Sequence, residues 1–147
     1  MSCSDGANEL ASSRSAESGE QALHLSLAIL PERFAVCQFS PDGPLPRPLP
    51  GCRFWSLTCT DDEMSLVLPE DDVPADFRAE RGWRCLKILG ILNFAMVGVL
   101  AALSSALALA SVSVFVVSTY QTDYLLVRAG DLERAVATLR ERGHRVR

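Results

Sequence analysis

Several classes of function are excluded by what this sequence has little of. Positive charge is short: 14 Lys and Arg stand against 18 Asp and Glu, for a formal net charge of −4 and a pI near 5.1. A mildly acidic chain offers no electrostatic footprint to nucleic acid or to an anionic membrane surface. The one basic cluster, Arg134, Arg140, Arg142, Arg145 and Arg147, falls at the end of the chain, where cations complement the negative end of a helix. Histidine is scarce, and neither His24 nor His144 stands at a telling spacing from a nucleophile or a carboxylate. The acidic pairs fall in predicted loops, with no apolar setting to split their pKa values. Gly90 and Gly98 are not followed by Lys-Ser/Thr, so there is no phosphate-binding loop. No catalytic residue is assigned, and a non-enzymatic protein is expected. Five cysteines, an odd number, lack any C-x-x-C pair. No disulfide scaffold, metal site or cofactor is therefore expected, and reduced thiols point to the cytoplasm. The opening residues do not have the pattern of a signal peptide. Residues 1–22, rich in Ser, Ala, Glu and Gly, are expected to form a disordered tail.

What is present is apolar. The 147 residues are 48% hydrophobic, ample for one core or for two half-size modules sharing one. No charge occurs from Ile88 to Thr122, a window longer than the roughly 20 residues that cross a bilayer. A single-pass membrane protein is thus one competing reading. Against it, Gly90, Asn93 and Gly98 punctuate the start of the window. Its preference also changes from Ala- and Leu-rich at Met96 to Ala110 to β-branched and aromatic at Val112 to Val117.

Strands are expected at Leu23 to Leu30, closed by Pro31, and at Phe34 to Phe39, ended by the turn signal Ser40-Pro41-Asp42-Gly43. Pro44 to Gly51 must be loop. Phe54 to Thr60 and Met64 to Leu68, joined by Asp61-Asp62-Glu63, read as a β-hairpin. Pro69 to Arg81 is a connection with room for one helical turn at Asp76 to Glu80. Then follow a strand at Trp83 to Leu92, a buried helix at Met96 to Ala110, strands at Val112 to Ser118 and Tyr124 to Arg128, and a closing helix at Asp131 to Arg142. That helix presents Leu132, Val136 and Leu139 on one face and has Gly143 after its end. The order β-α-β-β-α, completed by a strand from the first half, predicts an α+β, ferredoxin-like (βαββαβ) antiparallel sheet with helices on one face.

The runs Ser118 to Val127, Asp131 to Val136 and Val97 to Ala101 resemble the ACT-domain family. Asp62 to Pro69 and Arg81 to Leu86 extend the likeness to its two-module branch, related to aspartate kinase regulatory regions and the cytosolic arginine sensors of animals. The resemblance spans about Leu23 to His144. It implies a reduced N-terminal ACT-like module at residues 23–82, a C-terminal ACT domain at residues 83–147, a homodimer with side-by-side sheets, and small-ligand sites at module interfaces. The chain departs from the family at Ala110-Ser111, where members often end the helix with Gly, so a differently shaped helix end is expected. It also carries Asn93 where many members have Asp.

A free amino acid needs donors for its carboxylate and an acceptor for its ammonium. The loop from Asn93 through Val97 and Gly98 leads into a helix N-terminus, whose unpaired N–H groups suit a carboxylate. Asp123 is the one acid between Ile88 and Gly130. Thr119 and Tyr120 lie beside it, with Ser113 and Val114 on the neighbouring strand, and the resemblance implies ligand contacts at these same positions. Plainer roles stand beside each: a turn cap for Asp123, a core or interface aromatic for Tyr120, helix packing for Gly98, a solvent-facing strand position for Ser113. The expected function is a regulatory amino-acid sensor, with a protein partner receiving the signal. The alternative is an interaction or dimerisation module whose pocket is vestigial.

Overall fold

A computed structural model describes residues 23–147 except 45, 48, 49, 74–76, 94 and 95; the expected tail at 1–22 lies outside the described residues. Seven strands and two helices follow one another as β1 (Ser26–Phe39), β2 (Ser56–Cys59), β3 (Met64–Pro69), β4 (Ala79–Ile88), α1 (Val99–Leu109), β5 (Val114–Ser118), β6 (Asp123–Arg128), α2 (Leu132–Glu141) and β7 (Arg145–Val146). The sheet runs β2-β3-β1-β4-β6-β5, with β7 parallel to the start of β1 and all other neighbours antiparallel. Both helices share one core with alternate residues of the sheet: Leu103, Leu107, Val136 and Leu139 meet Leu27, Leu86, Ile88, Leu125 and Val127. The period-2 pattern of the strands puts these on one face and Phe34, Trp83, Cys85 and Leu126 on the other. No helix among the described residues is long and apolar enough to cross a membrane. The uncharged window instead holds α1 and the edge strand β5, and α1 is not the buried helix expected: it buries Val99, Leu103, Ala106 and Leu107 and leaves the opposite face, with Leu109 at 76%, exposed.

Two sequence expectations are corrected. Pro31 does not close a strand, because β1 runs through it as a single 14-residue element. The pairing with β4 slips between Ile29 and Arg33, so Pro31 sits in a bulge where its missing N–H leaves no ladder bond unmade. The helical turn expected around Asp76 to Glu80 is also absent at its described end: Ala79 and Glu80 already belong to β4, and a 3₁₀ turn forms earlier, at Glu70–Asp72. One short strand has no counterpart in the sequence expectations: β7, which pairs with the start of β1.

The end of α1 also differs from expectation. Ser111 adopts the left-handed conformation (φ 57°) that Gly supplies elsewhere. The N–H of Val112 donates to Leu107 O at 2.9 Å and that of Ser111 to Ala108 O at 2.9 Å. The end of α2 repeats this pattern with Gly143 (φ 87°), where His144 N–H reaches Leu139 O at 3.0 Å and Gly143 N–H reaches Arg140 O at 2.9 Å. The same pair of bonds closes both helices, one with the favoured residue and one without.

Strand register exposes an internal repeat. Phe34 and Cys37 face Pro69 and Leu66 across β1 and β3, as Trp83 and Leu86 face Arg128 and Leu125 across β4 and β6. Each hairpin then ends in a 3₁₀ turn, Glu70–Asp72 after β3 and Ala129–Asp131 after β6. What differs is the cover. In the second repeat α1 and α2 lie on the sheet, whereas the first carries the Pro-rich loop after β1 and a short connection into β4.

Candidate functional site

The two hairpin turns are built alike, and the second forms a wall of a cleft. In the first, Thr60 Oγ1 donates to Glu63 O at 3.2 Å and accepts from Glu63 N–H at 3.1 Å. In the second, Thr119 Oγ1 donates to Thr122 O at 2.7 Å and accepts from Thr122 N–H at 3.3 Å. The Thr122 hydroxyl is buried and donates to Ile88 O at 2.7 Å, fastening the turn to the end of β4. Leu92 N–H donates to Gln121 O at 2.8 Å, which holds the β4–α1 connection against the same turn.

Opposite the turn stands the start of α1. Gly98 precedes it with φ 86° and, as the N-cap residue, offers no side-chain cap, and the first turn carries no acid. The first N–H groups of a helix have no partner inside it, and together with the dipole they favour an anion. Between helix start and turn lies a cleft of about 330 Å³. Asp123 lines it, and among the described residues its carboxylate makes no hydrogen bond or ion pair. Asp123 therefore does not cap its turn; Thr119 does.

Of the eight residues singled out from sequence, the cleft brings together Asn93, Gly98, Thr119, Tyr120 and Asp123. Val97 stands just outside it and is 95% exposed. Ser113 and Val114 lie at the far end of the β5 edge, where Val114 pairs with Val127 and not with the cleft end at Ser118. Sequence reasoning missed Met96, Leu100, Ser118 and Gln121, which also line the cleft. Their signal was adjacency: each neighbours a singled-out residue in the helix start or the turn. Thr119 has both hydroxyl functions committed to the turn, so its part in the cleft is to shape it.

Comparisons with known proteins agree with this fold. A sequence profile of the ACT domain matches residues 78–141, and a second profile, described as an N-terminal domain, matches residues 32–76. A solved protein from Agrobacterium tumefaciens is 36% identical, covering 86% of this chain and 94% of that one, with a TM-score of 0.79. Residues 78–141 belong to the ACT-domain family. The chain is 32% identical over 99 residues to the human cytosolic arginine sensor for mTORC1 subunit 1. That match covers 60% of this chain and 30% of the sensor, so the chain spans under a third of this relative's length. The regulatory subunit of aspartate kinase from Thermus thermophilus has the same fold, with a TM-score of 0.55 at 13% identity over 82% of this chain and 98% of that one.

Proposed function

We propose that the chain is a non-catalytic regulatory protein that binds a free amino acid between the start of α1 and the β5–β6 turn. The observation that carries this reading is the pairing, across one cleft, of a helix N-terminus led by Gly98 with a carboxylate at Asp123 that has no hydrogen bond or ion pair among the described residues. The helix N–H groups would hold the ligand carboxylate and Asp123 its ammonium, while Met96 and Leu100 meet the side chain. Similarity to a cytosolic arginine sensor and to a kinase regulatory subunit supports regulatory ligand binding and a cytoplasmic setting. Two modules, at 23–82 and 83–147, fit the repeated hairpins.

A homodimer completes the proposal. Among the described residues no further strand pairs with the edge of β5; Tyr120, 81% exposed, lines the cleft, and Ile91 and Val97, at 76% and 95% exposure, neighbour its lining residues Leu92, Met96 and Gly98 in the chain. Apolar groups so placed are suited to burial by a second copy. The same patch favours the alternative reading, a protein-interaction module with a vestigial cleft.

Thermal unfolding against each of the twenty amino acids separates the two. A ligand at 100 times its Kd adds about 2.7 kcal/mol. The expected outcome is one amino acid that raises the Tm of the wild type by several degrees and leaves Asp123→Ala unmoved. A wild type indifferent to all twenty would leave the interaction module standing.

A further inference from the structure

A space larger than the cleft lies in the other repeat. Cys37, Leu66 and Leu68 occupy the sheet positions that Leu86, Leu125 and Val127 hold in the second repeat. The latter three are sealed beneath α1 and α2. No α-helix among the described residues packs on the former. A cavity of about 490 Å³ lies against this face, lined on one side by Pro44 and Pro46 of the loop after β1. A Pro-rich loop cannot supply the regular row of apolar side chains with which a helix fills such a face. Trp55 and Phe77 stand in the remaining walls, so the space is mostly apolar, partly open to solvent, and of the size of small-molecule sites.

Two charges of opposite sign line this cavity, Arg47 and Asp72. Neither makes an ion pair or a hydrogen bond among the described residues. An apolar chamber flanked by one free cation and one free anion is complementary to a zwitterion with an apolar body. We propose that this cavity is a second ligand site, taking an amino acid with a large aliphatic or aromatic side chain. The side chain fills the space against this face, Arg47 receives the carboxylate, and Asp72 the ammonium. This site is separate from the cleft at Asp123 and does not depend on it.

Trp55 supplies the readout. The other tryptophan, Trp83, has an indole N–H without a hydrogen-bond partner among the described residues, so Trp83→Phe removes no such bond and leaves Trp55 as the sole reporter. This variant is titrated with leucine, phenylalanine, 3-phenylpropanoate and 2-phenylethylamine, the last two each lacking one charge. The proposal expects a saturable change in Trp55 emission with leucine or phenylalanine. It expects binding weaker by about tenfold or more with either singly charged analogue, and likewise in Arg47→Ala and Asp72→Asn. Cys37→Leu, which fills the chamber, should abolish the response, and Asp123→Ala should leave it intact. If Trp83→Phe does not fold, the Trp55 indole N–H resonance of the wild type reports the same titrations. No saturable change with either amino acid overturns the proposal. So does 3-phenylpropanoate binding as tightly as phenylalanine, which would mark a site for apolar carboxylates.

Discussion

Ser111 carries a local cost that the rest of the helix end absorbs. A left-handed conformation costs an L-residue about 1–2 kcal/mol, yet the two bonds from Val112 and Ser111 hold it there. Gly adopts this conformation freely but gives up roughly 0.4–1 kcal/mol through a more flexible unfolded chain. The balance predicts that Ser111→Gly stabilises the protein by about 0.5–1 kcal/mol, measured by denaturant unfolding with an unchanged m-value. A loss of stability would show that the Ser111 side chain contributes to the cap. Thr122 makes a contrasting case, since its sequence context looks like any polar turn. Only its 2.7 Å bond to Ile88 O reveals it as the bolt between turn and strand.

At the scale of elements, the most exposed dependency is β7, two residues long and bonded to β1. Leu25 N–H donates to His144 Nδ1 at 3.2 Å, and His24 Nδ1 lies 3.0 Å from Gly143 O. Accepting a backbone N–H requires an unprotonated Nδ1, so this clasp exists with His144 neutral. Burial, and then the neighbouring His24, hold the His144 pKa below its ordinary value. A base with a lowered folded pKa binds its proton more readily when unfolded. Stability is therefore full above about pH 6.5 and declines as pH falls through that value toward the folded pKa. Unfolding free energies measured from pH 7.5 to 5 should show this decline, and His144→Gln should flatten it. An equal slope in both proteins would assign the decline to other groups.

For the molecule as a whole, the sheet is the unit that must open together. Cys85 lies at its centre, fully buried, and burial, with a lesser contribution from Glu32, pushes its thiol pKa up to about 12. Cys59, by contrast, is exposed at the end of β2. Labelling with a thiol reagent at pH 8 should modify Cys59 at once, and Cys85 only at the rate of global unfolding. Prompt labelling of Cys85 would mean that the β4–β6 region opens by itself.

Much of this architecture was legible in order along the chain, because its signals are local. Runs of apolar and β-branched residues marked the strands, the Leu132, Val136 and Leu139 spacing marked α2, and the acidic turn Asp61-Asp62-Glu63 marked the first hairpin. The five cleft residues foreseen were those within a few positions of such a signal. Pairing was not legible: whether Pro31 ends a strand depends on the bulge that β4 accommodates, and whether Arg145 and Val146 form a strand depends on the open edge of β1. The sequence by itself determined element types and which face of each is apolar, since periodicity and turn chemistry act between near neighbours. Only the tertiary structure decided what covers each face. That choice put Asp123 opposite the start of α1 and left a chamber over Cys37, because burial is settled between residues far apart in the chain.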